Sequence, residues 1–269
     1  MDQISETVMN WLPKISPRFF RILQRNSQVL RRTWQVNFLP PVLEPILYLL
    51  AFGAGLGLLV REISYRGASV SYVAYIAPAL IAINIMNNAF FENTFASYVR
   101  MYYQKTYDAI MATPLNLDEI ISGEIVWGAV KSLIATILMM AVISFFRLLV
   151  YPQALLIVPL AFLGGLAFGS VAMCFTALVP QIEVFNFPIF LFVTPMFLFS
   201  GTFFPLETLP SWAQVLAQVL PLTHLVTLVR ALAMGKLEGQ LLLSLLYLAL
   251  FSAVTFIIAI LLMRRRLII

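Results

Sequence analysis

The sequence predicts an all-α polytopic membrane protein: six transmembrane helices, an N-terminal interfacial helix, a short lateral helix on the cytoplasmic side and a re-entrant hairpin on the outer side. Three observations carry this. Of 269 residues, 61% are hydrophobic and only 11% charged, against about 25% charged in a soluble domain, and no polar block is long enough to form a water-facing unit. Six stretches, 38–60, 72–95, 125–146, 153–178, 186–204 and 241–263, each offer the mostly apolar length needed to cross, about 20 residues for about 30 Å of hydrocarbon. The basic residues are unevenly placed. An even number of spans puts both termini on one side, which then carries Lys14, Arg18, Arg21, Arg25, Arg31, Arg32, Arg100, Lys105, Arg264, Arg265 and Arg266. The other side carries Arg61, Arg66, Arg147, Arg230 and Lys236, and Lys131 falls inside a span, so eleven charges against five place the termini in the cytoplasm. The net charge of +5 therefore reads as topology and not as affinity for nucleic acid. Cys174 is alone and lies in an apolar run, so it is expected to be a small packing residue with no disulfide.

From the N-terminus, the first 36 residues are basic and interrupted by Pro13 and Pro17, without the short apolar core of a cleavable signal. This divides the chain into a cytoplasmic N-terminal region, 1–36, and a transmembrane domain, 37–269. Within the first part Phe20, Leu23, Leu30 and Trp34 recur at helical spacing, while Arg18, Arg21, Arg25 and Arg32 share another face. Such a helix lies on the membrane surface.

The segment 96–124 is the longest cytoplasmic connection. Tyr103, Tyr107 and Ile110 fall at i, i+4 and i+7, which predicts a short amphipathic helix stopped by Pro114. Asn116 followed by Glu119 then predicts a capping box that starts the next helix. The lateral helix either receives force from a soluble partner or rests on lipid headgroups; its periodicity fits both. On the outer side, residues 205–240 are punctuated by Pro205, Pro210 and Pro221. Ser211 with Gln214 predicts a second capping box opening the apolar stretch Trp212 to Leu220, which is too short to cross. Its backbone must be buried in protein or line a wet cavity, hence a re-entrant or interfacial hairpin. His224 is the only histidine and has no metal-ligand company, so a hydrogen-bonded structural role is expected and no metal.

Charges within spans cost about 2.5–3.5 kcal/mol each on insertion scales and need a reason. Glu44 lies between Pro41 and Pro45, Glu92 and Glu124 near the cytoplasmic ends of spans two and three, and Lys131 seven residues deeper than Glu124 on the same helical face. Lys131 is expected to pair with Glu124 or a neighbouring carboxylate in preference to substrate. Gly53, Gly55 and Gly57, and Gly165 and Gly169, suggest close-approach seams. Span five and its flanks carry Phe185, Phe187, Phe190, Phe192, Phe197, Phe199, Phe203 and Phe204, which face lipid or line an amphiphile's path.

Chemistry of its own is missing from the chain. Gly235-Lys236 is followed by Leu237, so no phosphate-binding Walker loop is present, and no zinc, dithiol or serine-nucleophile motif occurs. A bundle of this kind is not expected to be an enzyme and should borrow energy from an ATPase.

The stretch YQKTYDAIMATPLNLDEIISGEIVWGAVKS from Tyr103, the outer motif FLFSGTFFPLETLP and the following LPLTHLVTLVRAL resemble type-2 ATP-binding-cassette (ABC) export permeases. LEPILYLLAFGAGLGLL in span one and QKTYDA look closest to rhizobial lipo-oligosaccharide export permeases. The resemblance runs from about residue 30 to 263. It implies a homodimeric permease in the bacterial inner membrane, with separate cytoplasmic ATPase subunits that bind ATP and Mg. By position, Arg18 to Trp34 would be the connecting helix. Gln104, Lys105, Thr106, Tyr107, Asp108, Ile110 and Met111 would form the coupling helix docked to the ATPase, and Val179 to Phe185, with Glu183, a second contact. The proline-rich segment, with Pro205, Pro210, Ser211, Trp212, Pro221 and His224, would cap the exit. The implied cargo is an acylated or lipid-linked saccharide; drug efflux, or a lipid-binding scaffold or membrane enzyme without an ATPase, are the alternatives.

Overall fold

The computed structural model describes residues 13–56, 60, 62–65, 67–236 and 241–268; Gly57, Arg61 and Arg66, and residues 1–12 of the N-terminal region, lie outside them. Ser16 accepts a hydrogen bond from the Arg18 N–H and caps one turn, Pro17–Phe19, that runs into α1 (Phe20–Arg32). Thr33 breaks the path before α2 (Trp34–Leu50), which carries Pro40, Pro41 and Pro45 and continues as the wider turn Ala51–Leu56. At about 1.5 Å per residue, the 17 residues of α2 and its six-residue extension reach about 34 Å, enough to cross the hydrocarbon.

A small antiparallel hairpin follows, β1 (Glu62–Tyr65) with β2 (Ala68–Ser71), in register from Glu62↔Ser71 to Tyr65↔Ala68. Gly67, at φ 73, supplies the left-handed residue its tight turn requires. Residue periodicity predicts no strand here, because four-residue strands leave too short a period to register. Next come α3 (Tyr72–Tyr103), the six-residue α4 (Thr106–Met111), α5 (Leu117–Phe145), α6 (Gln153–Leu178) and α7 (Ile182–Phe199). The chain ends with α8 (Ser211–Val219), α9 (Pro221–Met234) and α10 (Leu241–Ile268). Five of these, α3, α5, α6, α7 and α10, are long and apolar enough to cross a membrane. The α8–α9 pair bends by 85° at Leu220.

Helix α3 is the centre: Tyr75, Ile76, Ala77, Ile81, Ile85 and Met86 are fully buried. It packs against α5, α6 and α9, while α7 and α10 expose Phe187, Phe190, Leu191, Leu242, Leu243 and Leu250. Such faces suit hydrocarbon. A second, smaller core lies at one end, where Ile22, Tyr98, Tyr107, Ile121, Phe185 and Ile260 meet. We call this the α4 end.

Several expectations are corrected. Span two runs on to Tyr103, so the lateral connection shortens, and Tyr103 belongs to α3 and not to the short helix. The expected capping box at Asn116–Glu119 is present in both directions and starts at Leu117 the helix that runs into span three. The Ser211–Gln214 box is not formed: Pro210 is the cap, and the Gln214 amide reaches back to the Leu209 carbonyl at 2.8 Å. A proline cap has no side-chain acceptor to offer. Helix α1 has two working faces, for it docks on α5 through Ile22 and Asn26 and leaves Phe20 and Val29 outward, while Trp34, also exposed, opens α2.

The glycine seam at 165 and 169 lies within the chain. A Cβ on Gly165 would sit 2.7 Å from the Ala129 Cα of α5, whereas one on Gly55 would meet nothing within 4 Å. Gly165→Ala is expected to lower stability by about 1–3 kcal/mol by forcing α5 and α6 apart, and Gly55→Ala to change it little; thermal unfolding in detergent measures both. Of the phenylalanines, Phe187, Phe190 and Phe204 are exposed, Phe185 is buried, and Phe192, Phe197 and Phe203 pack on the main core.

Candidate functional site

The site is built by two consecutive antiparallel helices. On α3, Glu92 and Arg100 share a face; on α5, Glu124 and Lys131 do the same. Because α3 runs toward the α4 end and α5 away from it, the two deeper groups meet and so do the two shallower ones. Lys131 Nζ donates to Glu92 Oε2 at 2.7 Å. Arg100 spans both carboxylates, with Nη1 to Glu92 Oε1 at 2.8 Å, Nε to Glu124 Oε2 at 2.9 Å, and Nη2 also to Glu124. The side chains of Glu92 and Glu124 are 4% and 1% exposed. Two positive and two negative charges cancel, the condition under which buried charges are tolerated.

The expected partner of Lys131 is thus resolved as Glu92, and Glu124 belongs to Arg100. Sequence reasoning missed Arg100 by counting it among the topology charges. The signal was there: Arg100 lies eight residues after Glu92, two turns along the same face. Glu44 does not join the cluster; it lies on α2, half-buried, beside Asn87 and Asn88.

The cluster extends to two further elements. Asn26 of α1 donates to Glu124 at 3.2 Å, and Ser97 of α3 to Glu124 at 3.3 Å. Ser97 also shares a 2.5 Å hydrogen bond with the hydroxyl of Tyr107. Tyr107 is completely buried, and burial, followed by the Glu124 carboxylate, pushes its phenol pKa upward. Helix α4 is therefore pinned by a ring that enters the bundle, with Ile110 and Met111 packed on the same core. Its opposite side looks out. Gln104, Lys105 and Asp108 are exposed, Thr106, Ile110 and Met111 half-buried, and Lys105 pairs with Asp108 at 3.8 Å. Lys105 itself adopts φ 51 and makes the corner between α3 and α4.

The single turn Ile182–Phe185 is seated at the same end. Phe185 packs on Phe95 and on Tyr98, and the Tyr98 hydroxyl donates to the Pro180 carbonyl at 2.6 Å. Glu183 remains exposed. Arg264 of α10 holds Asp118 through a fork whose Nε bond is 2.7 Å, the backbone N–H of Lys14 donates to the same carboxylate at 2.7 Å, and Ser16 donates to Glu119. One end of the bundle thus ties α1, α4, α5 and α10 together.

At the opposite end the hairpin residues take separate roles. Pro205 and Pro221 are buried, Pro210 and Ser211 exposed, and Trp212 is exposed with its edge against Phe199. His224 stacks on Tyr247, and its ring nitrogens lie 3.1 Å from Ser244 Oγ and 2.9 Å from the Gln218 carbonyl. Arg230, placed by the sequence among loop charges, is instead buried on α9. It stacks over Tyr75 at 3.9 Å and donates to the carbonyls of Tyr75 (3.2 Å) and Gly201 (2.9 Å).

Comparison with known proteins agrees with this architecture. Residues 17–234 match the family described as ABC-2 type transporter. The chain is 33% identical over 256 residues to Nodulation protein J of Sinorhizobium fredii, covering 95% of this chain and 96% of that protein. Nodulation protein J of Rhizobium meliloti is 32% identical, with the same coverage. The inner membrane transport permease YadH of Escherichia coli is 26% identical over 203 residues, 73% of this chain and 75% of that protein. Membership in this family makes the protein a transporter rather than an enzyme, a multi-pass permease of a bacterial inner membrane that works with ATPase partners. The chain belongs to the ABC-2 type transporter family.

Proposed function

We propose that this permease exports an acylated or lipid-linked saccharide, of the lipo-oligosaccharide kind, and that the α4 end is where cytoplasmic ATPases act. The observation that carries the reading is the division of labour on α4: Tyr107 anchors it to the bundle while Gln104, Lys105 and Asp108 face outward. A helix fixed on one side and bare on the other transmits displacement with little loss. Glu183 and its turn offer a second, nearby foothold. In this reading the α4 end, both termini and the N-terminal region 1–36 are cytoplasmic, and residues 37–269 form the transport domain. The α8–α9 hairpin caps the exit. Two copies of the chain enclose the path, and ATP and Mg are bound by the partner subunits, whose differing affinity for two permease conformations supplies the work.

The test uses inverted inner-membrane vesicles containing the permease and its ATPase subunits. ATP-dependent accumulation of an acylated oligosaccharide is expected, abolished when the ATPase is omitted. Accumulation without the ATPase overturns the coupling assignment, and accumulation of hydrophobic cations in place of the saccharide selects the drug-efflux alternative.

A further inference from the structure

Beside the charge cluster, α2 and α3, with Lys131 of α5, line an open cavity of about 440 Å³. We propose that it is the binding site for the hydroxyl-rich saccharide head of an amphiphile, with Glu44, Asn87 and Asn88 as hydrogen-bonding partners and Phe91 as a stacking ring. The proposal rests on the exporter reading above and gives it a location.

The first argument is polar capacity without a protein partner. Among the described residues Glu44 has no ion pair or hydrogen bond, and neither has the carboxamide of Asn87. Asn88 donates one N–H to the Asn84 carbonyl at 3.0 Å, and its oxygen has no partner among the described residues. Half-buried groups of this kind are available to a ligand or to water.

The second argument is the wall opposite. Pro40, Pro41 and Pro45 lie inside α2, and Pro40 and Pro41 line the cavity. Each proline lacks the N–H that would close a helical bond four residues back. The carbonyls of Val36, Asn37 and Pro41 therefore lose their usual donors, and of these three residues Pro41 stands in the cavity wall, on the α2 side opposite the amide donors of α3.

The third argument selects the chemistry. The one cation in the lining, Lys131, is held by Glu92 at 2.7 Å, so an anionic head would face Glu44 with no counter-charge. An alkylammonium would satisfy Glu44 but has no acceptor for the Asn87 and Asn88 N–H groups. A hydroxyl both donates and accepts, and several on one ring meet both walls at once. Phe91, 40% exposed, offers a flat apolar surface for the C–H face of a sugar, in the mixed aromatic and polar lining typical of ligand sites.

The test places a photoreactive group in the cavity. The full-length permease carrying Phe91→p-benzoylphenylalanine, in nanodiscs of zwitterionic lipid, is irradiated with radiolabelled dodecyl maltoside. Labelling is expected, displaced by unlabelled dodecyl maltoside and not by dodecanol, dodecyl phosphate or dodecylammonium. Asn87→Leu and Glu44→Leu are each expected to reduce labelling about tenfold, the worth of a lost hydrogen bond in a dry site. Displacement by dodecanol identifies a plain lipid groove, by the phosphate an anion site and by the ammonium a cation site, and each overturns the proposal. The same probe group at Phe95 repeats the test should the first variant not fold. ATP-driven movement of dodecyl maltoside is followed in parallel. Wild-type transport with labelling unaffected by either leucine variant overturns this site and leaves the exporter reading standing. Specific labelling without ATP-driven movement of any acylated saccharide overturns the exporter reading and leaves the site.

Discussion

Arg100→Ala is expected to lower the stability of the folded permease by about 3–5 kcal/mol, the cost of leaving buried carboxylates without their cation. Glu92 keeps Lys131, but Glu124 loses the fork and retains only Asn26 and Ser97. Thermal unfolding in detergent reads the loss. Arg100→Lys should recover only part of it, because one ammonium cannot reproduce the planar fork that reaches both acids. The double variant Arg100→Ala with Glu124→Gln should be more stable than Arg100→Ala alone, since it removes the stranded charge along with its partner. A single variant that melts like the wild type would sink the idea that this cluster holds α1, α3 and α5 together.

Tyr107→Ala is expected to abolish ATP-driven transport while the protein still inserts. The ring is fully buried under α4, and deleting such a ring costs about 3–5 kcal/mol. A helix of six residues cannot hold itself together without packing, so α4 should come away from the bundle. Tyr107→Phe keeps the packing, loses the Ser97 hydroxyl partner at about 1 kcal/mol and should transport well. Asp108→Ala, on the exposed side, should leave thermal stability unchanged and weaken association with the ATPase. The three variants therefore separate anchoring from docking. Normal transport by Tyr107→Ala, measured in vesicles with the ATPase present, would show that α4 is not the transmitting element.

Much of this was readable from the chain. Spans came from uninterrupted apolar length, and the Asn116–Glu119 box from three-residue spacing, both of which are local properties. Lys131 was recognised as needing a carboxylate because a charge in a span must be neutralised somewhere. Arg100 and Arg230 were misplaced for one reason: the tally of basic residues treats every cation near a span end as solvated. Whether a cation is solvated depends on what packs over it, and that is a tertiary fact. The Ser211–Gln214 pair failed differently, because the preceding Pro210 took the cap position and the pattern was satisfied only in letters.

Composition, the length of apolar runs and the position of helix starts and stops decided by themselves that this is a helical membrane bundle with a lateral helix on one side and a bent segment on the other. They act along the chain, so the chain records them. The pairing of Glu92 with Lys131 and of Arg100 with Glu124, the buried Tyr107 ring that fastens α4, and the polar cavity beside α2 were decided only by folding. Each depends on how helices far apart in sequence meet, and for the two ion pairs the depth at which α3 meets α5 is fixed by close approaches such as Gly128 against Asn93.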